Sequence, residues 1–113
     1  MKYRIMNEFD FINKYLSSKK TSSKFSLKYK DDVGYANNNI FSTDTICEGV
    51  HFHRDDEPFL VSKKLIRVNV SDIIAKGINP KFCLLNLSLG KNVDDVWINN
   101  FMKGIDSDLN FFK

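Results

Sequence analysis

A chain of 113 residues makes one domain or part of one, and its 42% hydrophobic and 27% charged residues are ordinary for a soluble globular protein. The formal net charge of +3 suits small anionic ligands and does not argue for nucleic acid; no apolar run approaches the roughly 20 residues of a membrane helix, and no signal peptide follows Met1-Lys2-Tyr3-Arg4. The two cysteines, Cys47 and Cys83, lack metal-type spacing and read as free thiols in a reducing cytoplasm.

Phe9, Ile12, Tyr15 and Leu16 recur at helical spacing and predict a short amphipathic helix over 7–16, with Asn7 as its N-cap. Residues 17–24 have neither periodicity nor a large apolar side chain, so they predict a loop; its lysines are a solvated connector or an attraction for phosphates. Phe25, Leu27 and Tyr29 alternate with polar residues, as a half-exposed strand does. That strand runs into Asp31-Asp32, an acid pair that suits either a turn or a divalent cation. Asn37-Asn38-Asn39 marks a turn, and the next strand covers 40–45.

Residues 58–76 follow a helical pattern, with Leu60, Val61, Leu65 and Val68 on one side and Ile66, Ile73 and Ile74 widening it. Pro58 suits the first turn, Gly77 the position just past the end, and Pro80 bars continuation. Asn69 and Asp72 share a face three residues apart, polar on an otherwise apolar side. A buried carboxylate there needs a cation or several donors, so Asp72 is either a site residue or a helix-surface acid. Residues 82–89 predict a central strand ending at Gly90. Asn92 or Asp94 then caps a last helix with the stripe Ile98, Phe101, Ile105, Leu109 and Phe112, and with Trp97 and Met102 beside it. The order helix, strand, strand, helix, strand, helix predicts an α+β or α/β domain with helices packed on a small sheet.

The chemistry concentrates in 42–52. Ser42-Thr43-Asp44-Thr45 offers hard oxygen donors in sequence, a good set for magnesium and phosphate and a poor one for zinc or copper. Gly49 then turns the chain into His51. With Asp31-Asp32 upstream and Asn69-Val70-Ser71-Asp72 downstream, three acid-and-hydroxyl clusters suggest a polynuclear magnesium site for nucleotide phosphates. Asp44 is a metal ligand or a carboxylate satisfied by backbone donors; His51 is a substrate contact or a structural histidine. Glu48 is a ligand or a solvated turn residue. No GxxxxGK[ST] or GxGxxG loop occurs, so a nucleotide enzyme of this sequence would hold phosphates through metals.

These residues resemble a known pattern. Lys30-Asp31-Asp32, the run Ser42-Thr43-Asp44-Thr45-Ile46-Cys47-Glu48-Gly49-Val50-His51-Phe52, and Asn69-Val70-Ser71-Asp72 through Pro80 are similar, in order and spacing, to the N-terminal domain of the thiamine-monophosphate kinase family, within the AIR-synthetase-like (PurM-like) superfamily. The resemblance covers the chain from about Asn7 to its end. It implies a PurM-like α/β sandwich, a small mixed sheet with helices packed on one face, incomplete at the C-terminus. Residues 1–113 would be a partial ATP- and magnesium-binding domain without the family's C-terminal domain.

The implied activity is transfer of the γ-phosphoryl group of ATP to thiamine monophosphate in the cytoplasm, with phosphate as acceptor. By resemblance, Asp32, Ser42, Thr43, Asp44 and Asp72 would be magnesium ligands and His51 would contact thiamine monophosphate. The family also implies a homodimer through the sheets, or a partner carrying the missing C-terminal half, and neither nucleic acid nor membrane as a partner. Lys30 stands where the family has glycine, Arg67 where it has a small residue, and Lys76 where it has methionine. The family's Gly-Gly-Asp-Thr segment and a further strand are not in this sequence. The expectation is therefore a fragment, a split gene product or a remnant, weak or inactive alone and prone to associate through an unpaired sheet edge. The other reading is a non-catalytic interaction module that keeps the fold without the chemistry.

Overall fold

A computed structural model describes residues 7–16 and 33–112. The chain falls into two compact units, Met1–Ser42 and Thr43–Lys113. The expected strand around Phe25, Leu27 and Tyr29 and the Asp31-Asp32 pair lie outside the described residues.

In the first unit, helix α1 (Glu8–Phe11) runs on as a wider π-helical turn, Ile12–Leu16. Asn7 caps it as expected: its side chain accepts the Asp10 N–H at 2.9 Å. The apolar stripe is less covered than its spacing suggests, with Ile12 and Leu16 half-buried and Phe9 and Tyr15 exposed. Strands β1 (Gly34–Ala36) and β2 (Asn39–Phe41) pair antiparallel, Gly34 opposite Phe41 and Ala36 opposite Asn39. The turn between them puts Asn37 at φ 50° and Asn38 at φ 62°, the left-handed pair that a two-residue hairpin needs and asparagine tolerates. The Phe41 ring lies so close to Gly34 that a Cβ there would stand 2.5 Å from it. Among the described residues the pairing runs to Phe41, shorter than the strand expected over 40–45, and residues 42–47 are irregular. Of the expected small mixed sheet, the described residues carry this antiparallel ribbon alone.

The second unit is built on α2 (Pro58–Ile74) and α3 (Asp95–Phe111). Pro58 opens α2, and Gly77, at φ +75°, sits just past its last turn. Asp94, the second of the two expected caps, accepts the Trp97 N–H at 2.8 Å. Val61, Ile66, Phe101 and Ile105 form the core between the helices. Each is nearly withdrawn from water, which contributes about 1.5–3 kcal/mol per side chain. Trp97 stacks on Phe101 with ring centroids 5.1 Å apart.

The two helices run in the same direction. Ser62 of α2 meets Gly104 of α3, and Arg67, further along α2, meets Asp108 and Phe111, further along α3. At Gly104 the backbones close up. A Cβ there would lie 1.9 Å from Ser62 Oγ and 2.4 Å from the Phe59 carbonyl oxygen. Ser62 is fully buried and satisfied, its hydroxyl donating to Phe59 O at 2.9 Å.

Two expected faces shift. On α2, Leu60 is exposed while Ser62 is buried; on α3, Leu109 is exposed while Asp108 is buried. Asp108 takes the core position because α2 brings cations to it. Arg67 Nε donates to Oδ2 at 3.0 Å and Nη2 to Oδ1 at 3.2 Å, and Lys63 Nζ stands 3.6 Å from Oδ1. The hydrogen bond to Asp108 and its charge raise the pKa of Arg67 against a small desolvation effect. The need for a partner lies with Asp108, since the Arg67 side chain stays half-exposed.

Residues 82–89 form no strand, contrary to the expectation of a central one. A central strand needs a neighbour on each edge, and no described strand pairs with this segment. It serves instead as the return path. Helix α2 is about 25 Å long, so a parallel α3 requires a connection that runs back over that distance. No described helix is long and apolar enough to cross a membrane.

Gly104→Ala should lower stability by about 2–3 kcal/mol despite the better helix propensity of alanine, because the Phe59 carbonyl cannot move aside. Adding Ser62→Ala should not restore the loss in thermal unfolding. Arg67→Met should lower the melting temperature more than Arg67→Met combined with Asp108→Leu, since the single change leaves the buried carboxylate with only Lys63 at 3.6 Å and the double change removes it.

Candidate functional site

Residues 43–56 arrange the expected site residues against α2. Asn69 fixes the first of them. Its Nδ2 donates to the Leu65 carbonyl at 2.9 Å, which orients the amide, and its Oδ1 accepts the Asp44 N–H at 2.7 Å. The carboxylate-bearing segment is thereby tied to the helix one turn before Asp72. Thr43 and Asp44 are exposed and Asp72 is half-buried. Ser71, between Asn69 and Asp72, turns its hydroxyl back to the Val68 carbonyl at 3.0 Å. Ser42 is half-buried and ends the first unit.

The loop that follows is closed at both ends. Ile46 and Phe52 pack against the core and anchor it. Glu48 and Phe52 form a parallel bridge, and the Gly49 N–H donates to Phe52 O at 2.7 Å. Gly49 sits at φ +81°, where L side chains are strained, which accounts for glycine at this turn. Cys47 and His51 face each other. The His51 N–H donates to Cys47 O at 2.8 Å, and the Cys47 N–H donates to His51 Nδ1 at 2.8 Å. Lys64, on α2, donates from Nζ to the His51 carbonyl. Further on, Asp56 Oδ2 accepts the His53 N–H at 2.7 Å and sets the turn into α2.

Between this loop and the first turns of α2 lies an open cleft of about 240 Å³. His51, Lys64, Asp56 and Glu57 border it with polar groups, and Phe52, Leu60 and Val61 supply apolar surface. The two α2 residues that grip the site segments, Lys64 and Asn69, lie about 7.5 Å apart along the helix axis.

Helix α2 therefore brings Asp44, Asp72 and His51 onto one scaffold. Asp32 lies outside the described residues. Among the described residues, no three His, Cys, Asp or Glu side chains gather as a metal cage. Two residues carry more than sequence reasoning assigned to them. Asn69 read as a polar residue on an apolar face and as part of the Asn69-Val70-Ser71-Asp72 cluster, with no sign that it would bind the Asp44 backbone. Lys64 gave no signal, because its contact is with a backbone carbonyl 13 residues earlier.

The chain matches the family described as AIR synthase related protein, N-terminal domain, over residues 30–113. It is similar to the thiamine-monophosphate kinase of Buchnera aphidicola subsp. Schizaphis graminum, with 33% identity over 113 residues, 95% of this chain and 35% of the relative. Against the thiamine-monophosphate kinase of Aquifex aeolicus the identity is 34% over 114 aligned positions, 100% of this chain and 37% of the relative. Against that of Escherichia coli K12 it is 37% over 71 residues, 63% of this chain and 22% of the relative. The chain spans about a third of the length of the first two relatives. No solved structure matches it.

Asn69→Ala should cost about 1 kcal/mol in unfolding measurements, a modest value because water can reach the freed Asp44 amide. Hydrogen exchange at that amide should accelerate well beyond the global change.

Proposed function

Because the chain belongs to the AIR synthase related protein, N-terminal domain family, we propose that it carries the metal- and phosphate-binding part of an ATP-dependent thiamine-monophosphate kinase. The reading rests on one observation above others: Asn69 Oδ1 holds the Asp44 N–H, so the acid of the Ser-Thr-Asp-Thr run is fixed to the helix that bears Asp72. The donor chemistry fits magnesium, since exposed Thr43 and Asp44 offer hydroxyl and carboxylate oxygen, with no soft ligand in the run. Asp32, Ser42, Thr43, Asp44 and Asp72 would hold the ion, with water completing a set that the described carboxylates alone do not. Bound there, magnesium would neutralise charge on the nucleotide phosphates.

The chain's own residues do the rest by positioning. Thiamine monophosphate presents an anionic phosphate as acceptor, so no general base is required. His51 would contact that substrate from the loop that Gly49 shapes. ATP and thiamine monophosphate are the small-molecule partners. A second copy meeting through the sheet, or a polypeptide supplying the remainder of the relatives' length, is the protein partner. The 113 residues alone should be a weak catalyst or none, and the setting is the cytoplasm.

Calorimetric titration of the chain with thiamine monophosphate, with and without magnesium and a non-hydrolysable ATP analogue, tests the reading. Binding should require magnesium and weaken at least about tenfold in Asp44→Ala and in His51→Ala, the loss of one charge-assisted contact each. No heat from a folded chain, or binding indifferent to both substitutions, would leave the family fold without this chemistry.

A further inference from the structure

We propose that Lys64 is the positioning residue that presents His51 as an Nε2–H donor to an anionic oxygen. The proposal deepens the reading above and rests on it for the identity of the substrate.

A neutral imidazole has one donor nitrogen and one acceptor nitrogen. The partner of His51 Nδ1 is the Cys47 backbone N–H, which can only donate. Nδ1 must therefore carry the lone pair, and the proton sits on Nε2. Among the described residues Nε2 makes no hydrogen bond, and His51 borders the cleft. The tautomer depends on the loop keeping Cys47 and His51 face to face. Two backbone bonds of the loop do part of this, His51 N–H to Cys47 O and Gly49 N–H to Phe52 O. Lys64 completes it from outside, gripping the His51 carbonyl from α2.

An ammonium has three donors, so Lys64 keeps two beyond the one given to the His51 carbonyl. These donors and the positive charge of Lys64 favour an acceptor oxygen bearing negative charge. Asp56 and Glu57 border the cleft as well and disfavour an anion placed against them, which leaves the donors of His51 and Lys64 to hold it. A phosphate monoester oxygen fits this arrangement; a cationic ring placed directly on the imidazole N–H does not.

Nitrogen-15 NMR of the full chain, at a pH where imidazoles are neutral, reads the tautomer directly. His51 should show the Nε2–H form alone, become a mixture in Lys64→Met, and return to one form in Lys64→Arg. A mixture in the wild-type chain, or an unchanged tautomer in Lys64→Met, overturns the proposal. Titration follows with thiamine monophosphate, unphosphorylated thiamine and inorganic phosphate. The Nε2 signal should move with the two phosphates and not with thiamine, with affinity about tenfold weaker in Lys64→Met. Movement with inorganic phosphate but not with thiamine monophosphate supports the proposal and overturns the substrate reading. Movement with thiamine as strongly as with its phosphate, and none with inorganic phosphate, overturns the proposal and leaves the substrate reading standing.

Discussion

A carboxylate with 1% of its side chain exposed has lost its water, and Asp108 regains the equivalent from two cations one helical turn apart on the neighbouring helix. The geometry allows nothing looser. Arg67 meets both carboxylate oxygens as a fork, while half of its own side chain remains exposed. The pair therefore carries the desolvation of one partner only. Moving α3 along α2 by a residue would separate these groups and leave the buried charge alone. Hydrophobic contact between Val61, Ile66, Phe101 and Ile105 supplies the attraction between the helices, but such contact tolerates sliding. The ion pair and the Ser62–Gly104 crossing set the register.

Everything placed near the candidate site inherits that register. Helix α2 is a packing element on one face and a clamp on another, with Lys64 gripping the His51 loop and Asn69 gripping the Asp44 segment. Both grips are made to backbone groups. They fix where the loops run without using the Asp44 carboxylate or the His51 ring as the point of attachment. Irregular segments hold such positions well only when a rigid element over-determines them, and here the rigid element is buried through its contacts with α3.

Local physics was legible in the sequence. The Asn7 and Asp94 caps, the Asn37-Asn38 turn, Pro58 at the start of α2 and Gly77 beyond its end all depend on a few neighbouring residues, and each stands where spacing put it. The motif runs that carry the family resemblance were legible as well. Facts that need a second segment were not. The apolar run 82–89 has the composition of a strand, but a strand is made by its partner, and no composition names one. The stripe through Leu109 was reasonable by period; Asp108 displaced it because Lys63 and Arg67 sit on a different helix. A row of two cations at i and i+4 on α2 was the available hint that an acid would face them. The roles of Asn69 and Lys64 were hidden for a similar reason, since each reaches a backbone group distant in sequence.

Because α2 and α3 run the same way, they cannot assemble as a hairpin of neighbouring helices. Their first native contact must close a loop of residues 75–94, with an entropic cost of roughly 1.5 kcal/mol beyond that of a short helix–helix turn. Neither helix gains its partner until that loop has closed. Formation of the pair is then a single concerted event, late relative to helix formation itself. Until it occurs, the Asp108 carboxylate remains hydrated and α2 has no buried face from which to hold its loops. The order in which this unit becomes organised is thus set by the direction of one connection: the helix pair first, and the loops that α2 holds only after it.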